Sequence, residues 1–329
     1  MQPISSVPAG TGSWPELDYT AGRDTLETLH LWAQIVGKIR LALTPWINHS
    51  WHATLYVTAR GLATSPIPHG ARSFEIEFDF IEHQLLVRTL DGRKWRMPLE
   101  PRSVASFHDE ILSALGELGL PVRIHGSPNE LSDPIPFAED DAHASYDADY
   151  AHRWWRALVQ SERVFTWFRA GFRGKASPVH LFWGSLDLAV TRFSGRSAPL
   201  HPGGIPNLPD RVTREAYSHE VSSAGFWAGN DMVPYPAYYS YAYPTPEGFG
   251  DARIEPGDAA WSADLGEYLL PYEVVRTARD PDDALKRFLA TTYTAAADLG
   301  NWDRAALEGS RQPPTDEEWA VAPGAGGST

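Results

Sequence analysis

Two periodicities of hydrophobic residues divide this chain into strands and helices. Between residues 74 and 80, apolar and acidic side chains alternate, which is typical of a strand with one apolar face. Between residues 103 and 118, apolar side chains recur at helical spacing instead. We therefore expect a one-sided antiparallel sheet whose apolar face is covered by helices. The alternating residues are Phe74, Ile76, Phe78 and Phe80 on the apolar face, with Glu75, Glu77 and Asp79 on the other.

Further helices and strands are predicted along the chain. Helical segments are expected at 25–43 and 147–172, and a closing helix has Asp280 at its N-cap, Pro281 in its first turn and Gly300 at its end. Strand-like segments alternate with turn residues between these helices. They read LYVTARG, HQLLVRTL and WRMPL in the first half of the chain, and DLAVTRFSG, AYSHEVSS, AYYSYAYP and GEYLLPYEVV in the second.

The same order of signals occurs twice. In each half of the chain a helical segment, a Gly-Lys pair, a proline, a histidine and a strand ending in glycine follow one another. The two pairs are Gly37-Lys38 and Gly174-Lys175, and they include two of only four lysines. The repeated order predicts an α+β protein of two similar halves, each helix, antiparallel strands, helix, packed into one body.

Composition places the boundaries of these halves. We expect an N-terminal half at 14–125 and a C-terminal half at 148–308, which carries the candidate site described below. The segment 126–147 is rich in proline and acidic residues and is predicted to be a linker, with its acidic run at 139–141 solvated. Residues 309–329 have few apolar side chains and are predicted to be a disordered tail.

Charge and cysteine content exclude several classes of protein. The formal net charge of −14 argues against nucleic-acid binding, which needs a basic surface. The absence of cysteine excludes disulfides and thiolate nucleophiles. The start of the sequence does not resemble a secretory signal, and no apolar run is long enough to span a membrane. We expect a cytoplasmic protein, and no motif identifies a cofactor or an oligomeric state.

Residues 174–227 gather more titratable and cationic side chains than half-buried strands usually carry. If AYSHEVSS corresponds to RSFEIEFDF, His219 takes the core-facing position of Ile76, where a histidine needs a partner or a ligand. We therefore expect an enzyme that acts on a small anionic metabolite, with His219 as acid or base and Glu220 or Asp187 assisting it. The residues expected to hold the substrate are Lys175, His180, Arg192, Arg196, Arg214 and Trp227.

Other interpretations of the same segment remain open. The polar residues can form a structural network of ion pairs, in a non-catalytic binding or interaction protein. His180, His201 and His219 can instead meet as ligands of a metal ion, although their spacing matches no compact metal motif. Ser218 and His219 lie on opposite faces of a regular strand, which argues against a nucleophile–base pair. Many aromatic residues surround the segment, most of them expected in the core and some in an apolar pocket.

Several long motifs resemble those of a known family. They read LHLWAQIVGKIRLAL, LYVTARGLATSPIP, FEIEFDF, SPVHLFWGSLDLAVTRFSGR and REAYSHEVSSAGFW, and together they span roughly residues 14–307. They resemble a bacterial family catalogued only as a domain of unknown function. The resemblance implies that the chain forms one architectural unit, and it implies no reaction, cofactor or site residue.

Overall fold

A computed structural model of the chain describes residues 13–309, and the predicted tail therefore lies outside the described residues except for Gly309. Within this range the fold is α+β, with seven α-helices and two antiparallel sheets of six strands each. The N-terminal half contains the helices α1 (Tyr19–Leu43) and α2 (Val104–Glu117), and the strands β1 (Tyr56–Val57), β2 (Gly61–Ala63), β3 (Ile67–His69), β4 (Arg72–Asp79), β5 (Gln84–Thr89) and β6 (Lys94–Pro98).

The C-terminal half repeats the order of helix, strands and helix. It contains α3 (Ala148–Ala170), β7 (His180–Phe182), β8 (Asp187–Ser197), α4 (Asp210–Ala216), β9 (His219–Trp227), β10 (Ala237–Tyr243), β11 (Ala260–Ser262), β12 (Glu267–Pro271), α5 (Tyr272–Thr277), α6 (Pro281–Leu299) and α7 (Arg304–Leu307). The two similar halves predicted from the sequence are thus confirmed. No helix among the described residues is both long and apolar enough to cross a membrane.

The N-terminal sheet has the strand order β1-β2-β4-β5-β6, with β3 also paired to β4. The predicted apolar face of β4 is buried, and Ile76 is fully inaccessible. The opposite face stays partly exposed at Glu75 and exposed at Arg96, but Glu77 and Asp79 are buried. Glu77 pairs with Arg88 at 2.7 Å, and Asp79 pairs with Arg60 at 2.7 Å. The sheet is thus one-sided as expected, except at these two buried carboxylates.

The C-terminal sheet has the strand order β11-β12-β10-β9-β8-β7. Its central strands alternate strictly between two environments. In β8, Leu188, Val190 and Arg192 are buried on the side of α3, whereas Asp187 and the residues in phase with it face the other way. Helices α3 and α6 cover one face of this sheet, and the other face is left to build a cavity.

The two sheets meet at their edges. Leu55, next to β1, and Leu181 of β7 exchange both backbone hydrogen bonds, at 2.9 and 2.8 Å. The indole N–H of Trp183 donates to the Ala53 carbonyl at 2.7 Å. The Trp183 ring fills the space that a side chain at position 37 of α1 would need, since a Cβ added at Gly37 would lie 2.2 Å from this ring. Gly37 therefore lets α1 approach the C-terminal half closely.

Most predicted elements form close to their predicted bounds, and a few do not. The helix predicted at 25–43 begins earlier, at Tyr19, where Asp18 caps it. LYVTARG forms two short strands instead of one, and GEYLLPYEVV forms β12 followed directly by α5. The helix α4 lies in a connection predicted to be irregular, so β9 begins only at His219.

The segment predicted to link the halves is packed against the body. Phe137 is fully buried and touches the core. In the acidic run, Glu139 and Asp141 are exposed as expected, but Asp140 is buried and its carboxylate lies 2.8 Å from His143 Nδ1. The solvated interpretation of the run is therefore wrong for Asp140.

Candidate functional site

A cavity of about 860 Å³ lies where the two halves meet. Its floor is the helix-free face of β8, β9 and β10. Its walls come from residues 46–53 after α1, from the loop 125–130 and from residues 182–185. It is covered by residues 205–217, which include α4 and which we call the roof segment. Both halves of the repeat are thus needed to enclose the cavity.

Gly225 shapes the centre of the floor. It pairs with Ala189 on one side and with Tyr239 on the other. A Cβ added at Gly225 would lie 2.4 Å from the Tyr239 ring, so the absence of a side chain lets this ring lie across β9. The Tyr239 hydroxyl then reaches β8 and donates a hydrogen bond to Asp187 Oδ2.

Asp187 is the buried acid of the cavity, with 8% of its surface exposed. Burial raises the pKa of its carboxyl to about 7, because a carboxylate is poorly solvated there, and the neighbouring charge of Glu130 acts in the same direction. The hydrogen bond from Tyr239 opposes this rise without cancelling it. A carboxyl with a pKa near neutrality can both donate and accept a proton, which suits general acid–base catalysis.

Hydroxyl groups continue the floor beyond Asp187. Thr191 Oγ1 lies 2.9 Å from Ser223 Oγ, and the hydroxyls of Tyr241 and Tyr217 lie 2.8 Å apart. Burial raises the pKa of Tyr217, Tyr239 and Tyr241, so their hydroxyls stay protonated. The floor therefore presents neutral hydrogen-bond donors and acceptors around one titratable carboxyl.

Lys38 of α1 contributes a buried amine to the wall, with 3% of its surface exposed. Its Nζ donates to Asn129 Oδ1 and lies 5.6 Å from the ring centroid of Trp183 and 6.0 Å from that of Phe137. Burial lowers the pKa of this amine to about 8.

His49 forms another part of the wall and is held in a left-handed conformation, with φ of 60°. Its Nδ1–H donates to the Ala216 carbonyl at 3.0 Å, which leaves Nε2 to accept from Lys175 Nζ at 2.6 Å. Burial and the charge of Lys175 lower the pKa of His49. The imidazole is therefore neutral. From the N-terminal half, His49 bridges Lys175 and the roof segment, which both belong to the C-terminal half.

The roof segment is attached to the N-terminal half at several points. Trp46 donates its indole N–H to Glu215 at 2.7 Å, and the Arg211 guanidinium lies 5.3 Å from the Trp46 ring centroid. On the other side, the Asn207 amide donates to the Leu131 carbonyl at 2.5 Å. These contacts position α4 over the floor and close the cavity from above.

Of the residues predicted for the site, Asp187 is the one that lines this cavity. Lys175 lies behind His49, as described above. Arg196 of β8 and Glu220 of β9 pair with each other on the opposite face of the sheet, where Arg196 Nη2 donates to Glu220 at 2.7 Å and also to the Gly300 carbonyl at the end of α6. Their ion pair matches the structural alternative considered for the sequence, and the two side chains are not brought to the cavity.

Arg192 also faces away from the cavity. It is buried beneath α3 and α6, where its guanidinium carbon lies 3.4 Å from the ring centroid of Phe168 and 4.3 Å from that of Tyr293. Its Nη2 donates to the Phe168 carbonyl. The arginine alternates with Asp187 along β8 and therefore packs the core on the helix side.

The environment expected for His219 is wrong. Ile76 is fully buried, whereas His219 is half-buried, because α4 ends three residues earlier, at Ala216, and the chain enters β9 at this histidine. Its ring centroid lies 6.4 Å from that of His49. Ser218 precedes the regular strand, and its hydroxyl lies 3.0 Å from His219 Nδ1, although a regular strand would hold the two side chains apart.

The three histidines proposed as metal ligands do not meet. His180 is fully buried beside Phe182 and Trp51, and burial lowers its pKa to about 3. His201 stacks on Tyr217 with ring centroids 4.7 Å apart. Across residues 13–309, no three His, Cys, Asp or Glu side chains come close enough to hold a metal ion.

The last two predicted residues lie at the margins. Arg214 of α4 donates to the His201 carbonyl and to Asp210, and so holds the roof segment together. Trp227 borders a second cavity of about 360 Å³, which shares Glu130 and Ser185 with the first. Ser185 donates to Glu130 at 2.6 Å at this boundary.

Sequence reasoning did not assign Lys38, His49 or Tyr239 to the site. Lys38 and His49 were landmarks of the internal repeat, and Tyr239 was one of many aromatic residues. The scarcity of lysine was the available signal, since Lys38 lies in a helix otherwise rich in apolar residues. This signal could not assign the residues to the site, because they line one cavity with Asp187 only when the two halves pack against each other.

Comparisons with known proteins place the chain in a family without a known activity. No curated protein and no solved structure matches it. A family model described as "Family of unknown function (DUF5996)" matches residues 14–309, and so confirms the resemblance carried by the sequence motifs. The chain belongs to this family of unknown function, DUF5996.

Proposed function

We propose that the protein is an enzyme that binds a small molecule in the cavity between its halves and acts on it by proton transfer at Asp187. The observation that carries this proposal is a buried carboxyl with a pKa of about 7 on the floor of a large cavity. Carboxyls with strongly raised pKa values cluster at active sites, because catalysis needs a group that titrates near the working pH.

The proposed ligand is mostly apolar and carries an anionic group. Aromatic side chains such as Trp51, Trp183 and Phe193 line much of the cavity. Lys38 and Arg211 are the cations of the lining, and the pKa of Glu130 is raised by burial, which favours its uncharged form. A lining with more positive than negative charge supports the anionic substrate expected from the sequence, although other cations supply the charge.

Tyr239 positions the acid in this proposal. Its hydroxyl binds one carboxyl oxygen of Asp187 and so fixes the plane of the group. The remaining oxygen is then the atom that exchanges a proton with a bound molecule. The neutral hydroxyls of Thr191 and Ser223 extend from this point along the floor and offer hydrogen bonds to polar atoms of the ligand.

Binding without catalysis is the second candidate. It is favoured by the hydrogen bonds that the floor residues make with one another, as between Tyr217 and Tyr241, which satisfy these groups without a ligand. The two candidates differ in the role of Asp187. If the protein is an enzyme, Asp187→Asn should abolish turnover of its substrate while leaving substrate binding largely intact. If the protein only binds its ligand, the same change should affect binding alone.

Binding of anilinonaphthalene sulfonate, an anionic aromatic fluorophore, tests the proposed site. We expect saturable binding of one equivalent by the wild-type protein. Val212 faces the cavity from α4, so Val212→Trp should fill the space and weaken binding by about tenfold or more, equivalent to ~1.4 kcal/mol. Leu90→Trp is the matched control, because Leu90 is 73% exposed in the turn after β5 and does not line the cavity.

Two outcomes would contradict the proposal. The first is that the wild-type protein shows no saturable binding of the fluorophore. The second is that Val212→Trp binds the fluorophore as tightly as Leu90→Trp does. Circular dichroism of each variant, with thermal unfolding, separates a blocked cavity from a loss of fold.

A further inference from the structure

Lys38 differs from the other lysines of the chain in its surroundings. Its amine is buried in the cavity wall, and no ion pair joins it to a carboxylate among residues 13–309. Lys94 is exposed on β6, and Lys286 is only partly buried and lies 4.0 Å from Asp282. Lys175 has His49 as its partner. Lys38 is thus an amine in an apolar wall without a compensating negative charge.

The polar partner of Lys38 is a neutral amide that is itself held firmly. Gln34 accepts from the Asn129 backbone N–H at 2.8 Å and donates to the Asn129 carbonyl at 2.9 Å. The Asn129 side-chain nitrogen donates to the Asn207 carbonyl, so its Oδ1 must face Lys38. A neutral acceptor can bind an N–H of either the ammonium or the free amine, and it does not force the charged form.

Two aromatic rings complete the surroundings of this amine. The centroids of Trp183 and Phe137 lie 5.6 and 6.0 Å from Nζ, so ring surfaces border the amine where a carboxylate would otherwise compensate its charge. Desolvation beside apolar groups is a common way to make a lysine nucleophilic, because it favours the neutral amine. The lowered pKa of Lys38 agrees with this geometry.

We propose that Lys38 is a nucleophilic amine that forms an imine with aldehyde or ketone ligands bound in the cavity. This inference rests on the proposed function, because it requires that small molecules enter the cavity, and it names their class as carbonyl compounds. An apolar carbonyl compound with an anionic group, such as an aromatic oxo acid, fits both the lining and the amine.

The chemistry balances without any further reactant. The neutral Nζ adds to the carbonyl carbon, and one proton passes from nitrogen to the carbonyl oxygen to give a neutral carbinolamine. Protonation of the hydroxyl lets it leave as water while the nitrogen lone pair forms the C=N bond, and the remaining proton on nitrogen is released to restore the acid. Asp187 is the proton donor of the cavity with a pKa near neutrality. Addition of water reverses both steps, so nothing is oxidised or reduced.

Reductive trapping tests the inference in the full-length protein. The protein is incubated at about pH 7 with para-carboxybenzaldehyde and cyanoborohydride, which reduces imines to stable amines, and peptides are then analysed by mass spectrometry. At early times we expect Lys38 to be labelled at least about tenfold more than Lys94 or Lys286, because burial lowers the pKa of the Lys38 amine to about 8. In urea-unfolded protein this preference should disappear.

Asn129→Asp provides a sharper variant, because it places a carboxylate where Lys38 now has a neutral acceptor. The ammonium form is then stabilised, so labelling of Lys38 should slow several-fold while labelling of Lys94 stays unchanged. Lys38→Met should remove the labelled peptide altogether. Circular dichroism confirms that each variant is folded.

The inference is overturned if folded wild-type protein labels Lys38 no faster than Lys94. It is also overturned if Asn129→Asp leaves the rate at Lys38 unchanged. Because anilinonaphthalene sulfonate has no carbonyl, its binding reports on the cavity separately. Saturable fluorophore binding without preferential labelling of Lys38 would refute the imine and leave the proposed function standing, whereas absence of fluorophore binding would refute the proposed function itself.

Discussion

The chemistry proposed for this protein depends on the surroundings of one carboxyl. Asp187 begins β8 and points to the side of the sheet opposite α3 and α6, where Tyr239 and Glu130 are its polar neighbours. Glu267, on β12, also has a pKa raised to about 7 by burial, with a further contribution from the charge of Asp187. The two carboxyls therefore influence each other's protonation across the floor.

Asp187→Asn should change how stability depends on pH. In the unfolded chain the carboxyl titrates near its ordinary value of 3.8, whereas in the folded protein its pKa is about 7. Between these values the folded state binds more protons, so the free energy of unfolding falls as the pH rises through this window and stays reduced above it. The full effect corresponds to at most about 4 kcal/mol.

The variant should therefore lose much of this decline between about pH 4 and pH 7, while Glu267 and Glu130, whose pKa values burial also raises, still contribute. Urea unfolding of both proteins at several pH values measures the difference. Equal pH slopes in the wild-type protein and the variant would show that Asp187 titrates normally.

Single residues of the site were only partly predictable. Asp187 was recognised because it lies in the segment 174–227, where titratable side chains are unusually dense, although it was expected only to assist His219. Tyr239 and Lys38 were not recognised, because their surroundings depend on packing at glycines. Gly225 leaves room for the Tyr239 ring, and Gly37 lets Trp183 pack beside Lys38. Such contacts between distant segments leave no local pattern in the sequence.

At the scale of elements, the ends of the closing helix α6 were predictable from its capping residues. The N-cap at Asp280 and the terminal Gly300 of α6 form as predicted, since Asp280 accepts from the Asp283 N–H at 3.0 Å. The helix α4 was missed because it is short and follows a proline, and its amphipathic pattern is too brief to recognise. This omission displaced the start of β9 and produced the wrong environment for His219.

Gly37→Ala tests how closely α1 approaches the C-terminal half. Alanine favours a helix over glycine by about 1 kcal/mol, so the change would stabilise an isolated helix. Here the new Cβ would lie 2.2 Å from the Trp183 indole, and we expect a net loss of about 1–3 kcal/mol from overpacking.

Gly116→Ala in α2 is the matched control for this change, because its added Cβ meets nothing within 4 Å. It should be neutral or stabilising by up to about 1 kcal/mol. Thermal unfolding of both variants gives the comparison. An equal gain in stability at the two positions would show that Trp183 does not pack against α1 as described.

At the scale of the whole molecule, the halves share one core. A single cluster of buried apolar residues extends from Trp32 in α1 to Phe288 in α6. The edge pairing of Leu55 with Leu181 and the cavity itself draw on both halves. The similarity of the halves was visible in the order of sequence signals, but the way they join was not, because the joining strands are only two and three residues long.

We therefore expect the protein to unfold in one cooperative transition. Tryptophan fluorescence and far-ultraviolet circular dichroism should give the same urea midpoint, because Trp32 and Trp154 lie in the shared core and report on both halves. Two separated transitions, or midpoints that differ between the probes, would mean that the halves fold independently and that the cavity is not a permanent part of the fold.

The most direct test of the central claim is the titration of Asp187 itself. Carboxyl-carbon NMR of aspartate-labelled protein, with the resonance assigned by its loss in Asp187→Asn, reports the pKa of this group without any knowledge of the substrate. The structure predicts a midpoint at about pH 7, the value of a buried acid poised for proton transfer. A midpoint near the ordinary 3.8 would show that the carboxyl is well solvated and would contradict its proposed role.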